Sequence, residues 1–214
     1  MRMRKKPNLI PRMEACERVL VSAPEDLKGS WRNITGAASL FVELGCGKGR
    51  FTAETAKLLE SGTLLVAVER VPEAMVVAME RVCAAGLENV RFVRSDAALL
   101  ENIFAPGEVE RIYINFCDPW PSKRHAKRRL TSPLFLDTYL AVLAPGGEIH
   151  FKTDGLPLFE YSLEQFAAKG FSIHEETRDL HAGGPVGVMT DYEAKFYAEG
   201  KPICRCVARK ELSK

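Results

Sequence analysis

The strongest constraint in this chain is an alternation. Between residues 39 and 154 the apolar runs SLFVELG, TLLVAVE, VRFVRSD, RIYINFCD and EIHFKTD take turns with the helix-like segments RFTAETAKLLE, VPEAMVVAMERVCAAG and PLFLDTYLAVLAPGG. The runs are apolar continuously rather than at every second position. Each strand should therefore be covered on both faces, as in an α/β, doubly wound, mostly parallel sheet. LAPGGEIHF combines a helix stop, a tight turn and a strand start. Further on, FSIHEETRDL and PICRCVARK read as two strands separated by a Gly-rich, acid-containing loop, and predict an antiparallel pair at one sheet edge. At 214 residues one domain is expected, over 36–214, behind a basic extension over 1–35.

Hydrophobic content of 46% and charged content of 27% are those of an ordinary globular protein and argue against disorder or a fibrous architecture. The net charge of +2 hides its distribution. MRMRKKPNLIPR carries five basic and no acidic residues, and KRHAKRR carries five more. Two such blocks point to a polyanionic partner, RNA or DNA. No apolar run has the length of a signal-peptide core or the roughly 18 residues of a membrane span, so a cytoplasmic protein with no membrane partner is expected. Cys16, Cys46, Cys83, Cys117, Cys204 and Cys206 form no C-x-x-C, and the last two have the wrong spacing for a zinc knuckle. They read as small apolar residues in a reducing compartment, with no metal site.

In a doubly wound sheet, ligands gather beyond the carboxyl ends of the strands, near the point where strand order reverses. The strand ends here are Glu43-Leu44-Gly45, Glu69, Asp96, Asp118 and Lys152-Thr153-Asp154. One acid at such a place is often only a helix cap; a series is harder to dismiss. ELGCGKGRF sets glycines at 45, 47 and 49 between a strand and a helix, where positive φ lets a ligand lie against the main chain. Glu69 follows twenty residues after Gly49, where an acid can accept both hydroxyl hydrogens of a ribose. The dinucleotide fingerprint needs a small residue at position 50, and Arg50 stands there, which leaves a NAD-dependent oxidoreductase as the lesser alternative.

A G-x-G-x-G loop preceded by an acid resembles the S-adenosylmethionine loop of class I methyltransferases, whose sheet is Rossmann-like. That resemblance implies S-adenosyl-L-methionine as cofactor, in a pocket of Glu43, Gly45, Gly47, Glu69, Asp96 and Asp118, with Asp96 on the adenine side. DPWPSKRHAKRR, with FKTD and TDYE, resembles the bacterial tRNA (guanine-N7-)-methyltransferase family, and the ordered motifs run from Phe41 to Phe196. The implied reaction is methyl transfer to N7 of a guanine in the tRNA variable loop, with tRNA rather than DNA as partner and Asp118 as the catalytic residue. The resemblance also assigns Lys123, Asp154, and Thr190, Asp191, Tyr192 and Glu193 of TDYE to the substrate pocket. The family generally has lysine where this chain has Ser122, and Lys123 comes one place later.

The chemistry agrees. Guanine N7 has an in-plane lone pair and no proton to lose, so the transfer needs positioning more than a general base. His125, His150, His174 and His181 are accordingly expected to be structural or superficial. An Arg or Lys forked onto O6 and N7 would occupy the reacting lone pair, so the base must be read by acceptors for N1–H and the exocyclic amine. Asp154 and Glu193 are candidates, although a solvated loop acid is the plainer expectation for Glu193. Trp120 can stack on a base or wedge the turn. Lys123, Arg124, Lys127, Arg128 and Arg129 follow the site directly and can clamp phosphates. A non-catalytic tRNA-binding protein of the same fold is the second alternative, and the sequence leaves monomer or homodimer open.

Overall fold

The computed structural model describes residues 7–212. Helix α1 (Leu9–Glu14) and a short strand β1 (Leu20–Val21) lead into β2 (Ser39–Leu44), α2 (Arg50–Leu58), β3 (Thr63–Val68), α3 (Pro72–Ala84), β4 (Val90–Val93), α4 (Leu100–Ile103) and β5 (Val109–Asn115). After a 3-10 turn over Lys123–Arg128 come α5 (Pro133–Val142), β6 (Leu143–Thr153), α6 (Leu156–Ala168), β7 (Phe171–Thr177), α7 (Asp191–Ala198) and β8 (Cys204–Lys210). The strands form one sheet in the order β1-β4-β3-β2-β5-β6-β8-β7. Strands β1 to β6 run parallel, and β8 is antiparallel to both β6 and β7. The doubly wound class and the antiparallel edge are as the sequence led one to expect.

Continuous apolar strands arise because both faces are covered. All six residues of β3 are buried. Leu65 and Ala67 point, with Phe92 and Tyr113, into the layer of α2 and α3, against Phe51, Met75 and Met79. Leu64, Val66 and Val68 point the other way, with Ile112 and Ile114, toward Phe104, Tyr139 and Phe159. The two-residue period thus supplies two cores from one strand. Proline opens α3 and α5, where its missing N–H costs nothing and its fixed φ suits the first turn.

Residues 1–6, which hold most of the first basic block, lie outside the described residues. The boundary expected at residue 36 has core on both sides of it. β1 pairs with β4, and Trp31 is fully buried, its indole N–H donating to the Ile103 carbonyl at 2.9 Å. Buried Glu108 fastens the same stretch by accepting from the N–H groups of Gly29, Trp31 and Ala105. Helix α1 is tied to α3 by a two-pronged pair, Arg12 to Glu80 at 2.6 and 2.7 Å. Four helices stand where the sequence pointed to none: the short α1 and α4, α6, and α7 inside the segment read as a Gly-rich loop.

Candidate active site

Strand order reverses between β2 and β5, which places a crevice beyond their carboxyl ends. Because β4, β3, β2, β5 and β6 are parallel neighbours, their C-termini form one rim carrying Asp96, Glu69, Gly45, Asp118 and Asp154 in that order. From β4 to β5 the rim spans three strand spacings, roughly 14 Å.

The glycine loop is built in two ways. Gly45 and Gly47 adopt φ of +75° and +55°, and a Cβ added at either would meet nothing within 4 Å. They border open space. Gly49, with φ of +73°, caps α2, and a Cβ there would lie 2.4 Å from Ala78 Cβ and 2.7 Å from Ala78 Cα on α3. Gly49 is therefore glycine because two helices meet at it. Glu69 holds the loop: Oε2 accepts the Gly47 N–H at 2.9 Å and Oε1 the Val71 N–H at 2.8 Å. Each oxygen keeps a second lone pair. A cradle open at two left-handed glycines, with an oriented carboxylate beside it, fits the ribose and amino-acid arm of S-adenosyl-L-methionine.

Asp96 receives the Ala98 N–H at 3.0 Å, as a helix cap does, and its other oxygen faces Arg70 at 3.3 Å. Glu43 does not stand on the rim as expected but beneath it, 2% exposed. Burial pushes its carboxyl up to about 7, although the Thr52 hydroxyl donates to it at 2.6 Å and Lys152 lies nearby. It is a floor residue.

At the end of β5 the main chain makes two left-handed steps at non-glycine residues, Phe116 (φ 53°) and Trp120 (φ 41°), on either side of exposed Asp118. Such steps cost on the order of 1–3 kcal/mol each and concentrate at functional turns. Arg129 holds this turn from below, donating to the carbonyls of Pro119 and Trp120 at 3.0 Å and lying 4.3 Å over the Tyr161 ring. The expectation that Arg129 clamps phosphate therefore needs correction: its guanidinium is already engaged. Arg128 stacks 5.0 Å over Trp120, whose ring also meets the edge of His125, so Trp120 is a wedge with one basic cover. Lys123, Arg124 and Lys127 are exposed on the 3-10 turn, which Ser122 caps.

On β6, Asp154 is exposed after the strand, while Lys152 is buried. Burial pushes the Lys152 ammonium down, partly offset by Glu193, whose Oε2 it reaches at 2.6 Å; it also donates to the Val188 carbonyl at 3.0 Å. Glu193 is fully buried, neither free to read a base nor the solvated loop acid expected. It belongs to a capping box with Thr190, and its Oε1 takes His181 Nε2 at 3.1 Å. Thr190 is likewise spent on the cap. Asp191 reaches Arg50 at 3.9 Å and Arg81 at 3.5 Å, and Tyr192 is 59% exposed. Of the other histidines, His150 pairs with Glu148 at 2.9 Å and His174 with Ser172 at 3.1 Å. Burial pushes the Cys117 thiol up to about 12, so the sulfur nearest Asp118 in the chain is no nucleophile.

Lys152 was noted only as part of a strand end, although a charge inside an otherwise apolar strand was a signal for its buried pairing. His181, expected to be structural or superficial, is structural and buried. Phe116 gave no signal.

A Rossmann-like sheet with a glycine cradle and acids along the switch-point rim is the architecture expected of a class I methyltransferase. A solved S-adenosylmethionine-dependent methyltransferase from Aquifex aeolicus superposes with a TM-score of 0.57 at 14% identity, covering 95% of this chain and 99% of that one. A family model described as "Putative methyltransferase" matches residues 37–206. The tRNA (guanine-N(7)-)-methyltransferase of Geobacillus kaustophilus is 43% identical over 97% of this chain and 96% of its own. That of Listeria monocytogenes serotype 4b is 42% identical over 98% of both. The chain belongs to the tRNA (guanine-N7-)-methyltransferase family.

Proposed function

We propose that this protein transfers a methyl group from S-adenosyl-L-methionine to N7 of a guanine in the variable loop of tRNA. Family membership supports the reaction. One observation ties it to this geometry: the open cradle at Gly45 and Gly47 and the exposed Asp118 stand at the ends of adjacent strands, followed directly by the basic turn. When bound, the cofactor supplies an electrophilic methyl group on a sulfonium. Gly45 and Gly47 would receive it along the main chain, Glu69 would accept ribose hydroxyls with its remaining lone pairs, and Asp96 would take the adenine side.

The protein's task toward guanine is alignment. N7 has no proton, so no residue need remove one, and a cationic donor at N7 would block it. Asp118 orients the reacting groups from the end of β5. Asp154, the exposed carboxylate at the end of β6, can accept from N1–H and the exocyclic amine, a role that buried Glu193 cannot share. Tyr192 offers an exposed ring on α7. Lys123, Arg124, Lys127 and Arg128 would hold phosphates, with Lys123 standing in for the lysine replaced by Ser122. Among the described residues no helix is long and apolar enough to cross a membrane, and the tRNA substrate argues for a cytoplasmic site of action.

The test is a tRNA carrying 7-deazaguanine at the variable-loop guanine, which replaces the N7 lone pair with C–H. Methyl transfer should vanish while binding persists. Undiminished transfer would move the reaction to another atom.

A further inference from the structure

Helix α7 is an unusual wall for a binding site. It has eight residues, too few to persist alone, and the only one of them that is buried is an acid, Glu193. No apolar side chain of α7 is sunk in the core. Yet the helix touches both halves of the site: Phe196 packs on Phe116, two residues before Asp118, and Asp191 reaches Arg50, the first residue of α2 after the glycine loop. The Asp191 contacts are half-exposed and contribute little. Ring contacts of Phe196 with Phe116 and of Tyr197 with His181 lie against partly exposed residues of α7, so its one fully buried attachment is polar.

Glu193 supplies it. Its Oε2 takes Lys152 Nζ at 2.6 Å and the Thr190 N–H at 3.2 Å, and its Oε1 takes His181 Nε2 at 3.1 Å. The Val186 N–H donates to His181 Nδ1 at 3.2 Å, so the ring carries its proton on Nε2 and donates to the carboxylate. Lys152 also grips the Val188 carbonyl at 3.0 Å. One carboxylate thus joins β6, the segment around residues 181–188 and α7, with both of its oxygens occupied. A buried charge is tolerated only when it is paired and hydrogen-bonded in this way.

We infer that Lys152, Glu193 and His181 form a buried latch whose role is to position α7, the wall beside the site, for tRNA. They are positioning residues, and Glu193 serves the substrate pocket without touching the base. The inference rests on the tRNA-methylating function proposed above.

The test compares wild type with Lys152→Met, Glu193→Gln and the double variant by steady-state kinetics on a tRNA transcript, calorimetric titration with S-adenosylhomocysteine, and hydrogen exchange of α7. Lys152→Met should raise KM for tRNA about tenfold or more, with kcat at saturating tRNA and cofactor affinity within about threefold, and α7 amides should lose protection. The double variant should be no worse than Lys152→Met, because both changes break one latch. General destabilisation would instead lower kcat and leave KM in place. If Lys152→Met does not fold, Glu193→Gln, which keeps the shape, carries the same expectation in weaker form. An unchanged KM in Lys152→Met, effects that multiply in the double variant, or lost α7 protection without a KM change would each overturn the latch as a positioning device. A wild-type protein that leaves tRNA unmethylated would sink the functional reading, and hydrogen exchange would still judge the latch.

Discussion

Gly47→Ala and Gly49→Ala separate ligand space from packing within one loop. Both positions are left-handed, at φ of +55° and +73°, so alanine costs about 1–2 kcal/mol at either. At Gly47 nothing lies within 4 Å of the new Cβ, and that conformational cost is all the folded protein loses. At Gly49 the Cβ would sit 2.4 Å from Ala78 Cβ and 2.7 Å from Ala78 Cα, which no rotamer change can relieve because the obstacle is the backbone of α3. Overpacking of this kind adds about 1–3 kcal/mol. For a domain of this size each kcal/mol lowers Tm by roughly 2–4 °C. Gly49→Ala should therefore melt roughly 4–20 °C below wild type and Gly47→Ala only a few degrees below, in thermal unfolding without ligand. The order reverses in titration with S-adenosylhomocysteine. Gly47→Ala should lose at least about tenfold in affinity, since its methyl stands in the space the main chain opens to the ligand, a penalty of about 1.4 kcal/mol or more. Wild-type affinity in Gly47→Ala, or equal stability of the two variants, would refute this division of the loop.

Three further outcomes are expected. Glu43 has its folded pKa raised from 4.5 to about 7 by burial, so the folded state keeps a proton that the unfolded state releases. Its contribution is fully present below pH 4.5 and is lost as pH rises through about 7, roughly 3 kcal/mol in all; urea unfolding of Glu43→Gln across that range should show a flatter loss than wild type. Arg124→Ala with Lys127→Ala should lower the salt slope of tRNA binding by about 1.5–2, whereas Arg129→Ala, which loosens the Asp118 turn, should lower kcat and leave that slope nearly unchanged. Trp31→Ala should cost about 3–5 kcal/mol in chemical unfolding, because the ring is fully buried and hydrogen-bonded to Ile103; a negligible loss would make residues up to 35 a true extension.

What could be read from the sequence was what repeats or stands in a local pattern. Strands β2 to β6 announced themselves because burial on both faces makes apolar runs, and the rim acids followed from strand ends. Local pattern could not separate Glu43, under the rim, from Asp118, on it, because the difference lies in which neighbours cover each carboxylate. The glycines of the loop looked alike, yet only Gly49 is pressed by another helix. Helix α7 was hidden because its one buried residue is an acid, so it lacks the apolar stripe by which helices are recognised, and Glu193 looked like a solvated loop residue. Its partners Lys152 and His181 are 41 and 12 residues away in the chain. Arg129 was indistinguishable from its basic neighbours until the carbonyls of Pro119 and Trp120 came into view.

The most direct test is to incubate the protein with methyl-labelled S-adenosyl-L-methionine and an unmodified tRNA transcript bearing a variable-loop guanine, digest the RNA, and separate the nucleosides. Label should appear in 7-methylguanosine from that position and be lost with Asp118→Ala. Label in any other nucleoside, or none despite cofactor binding, would contradict the account.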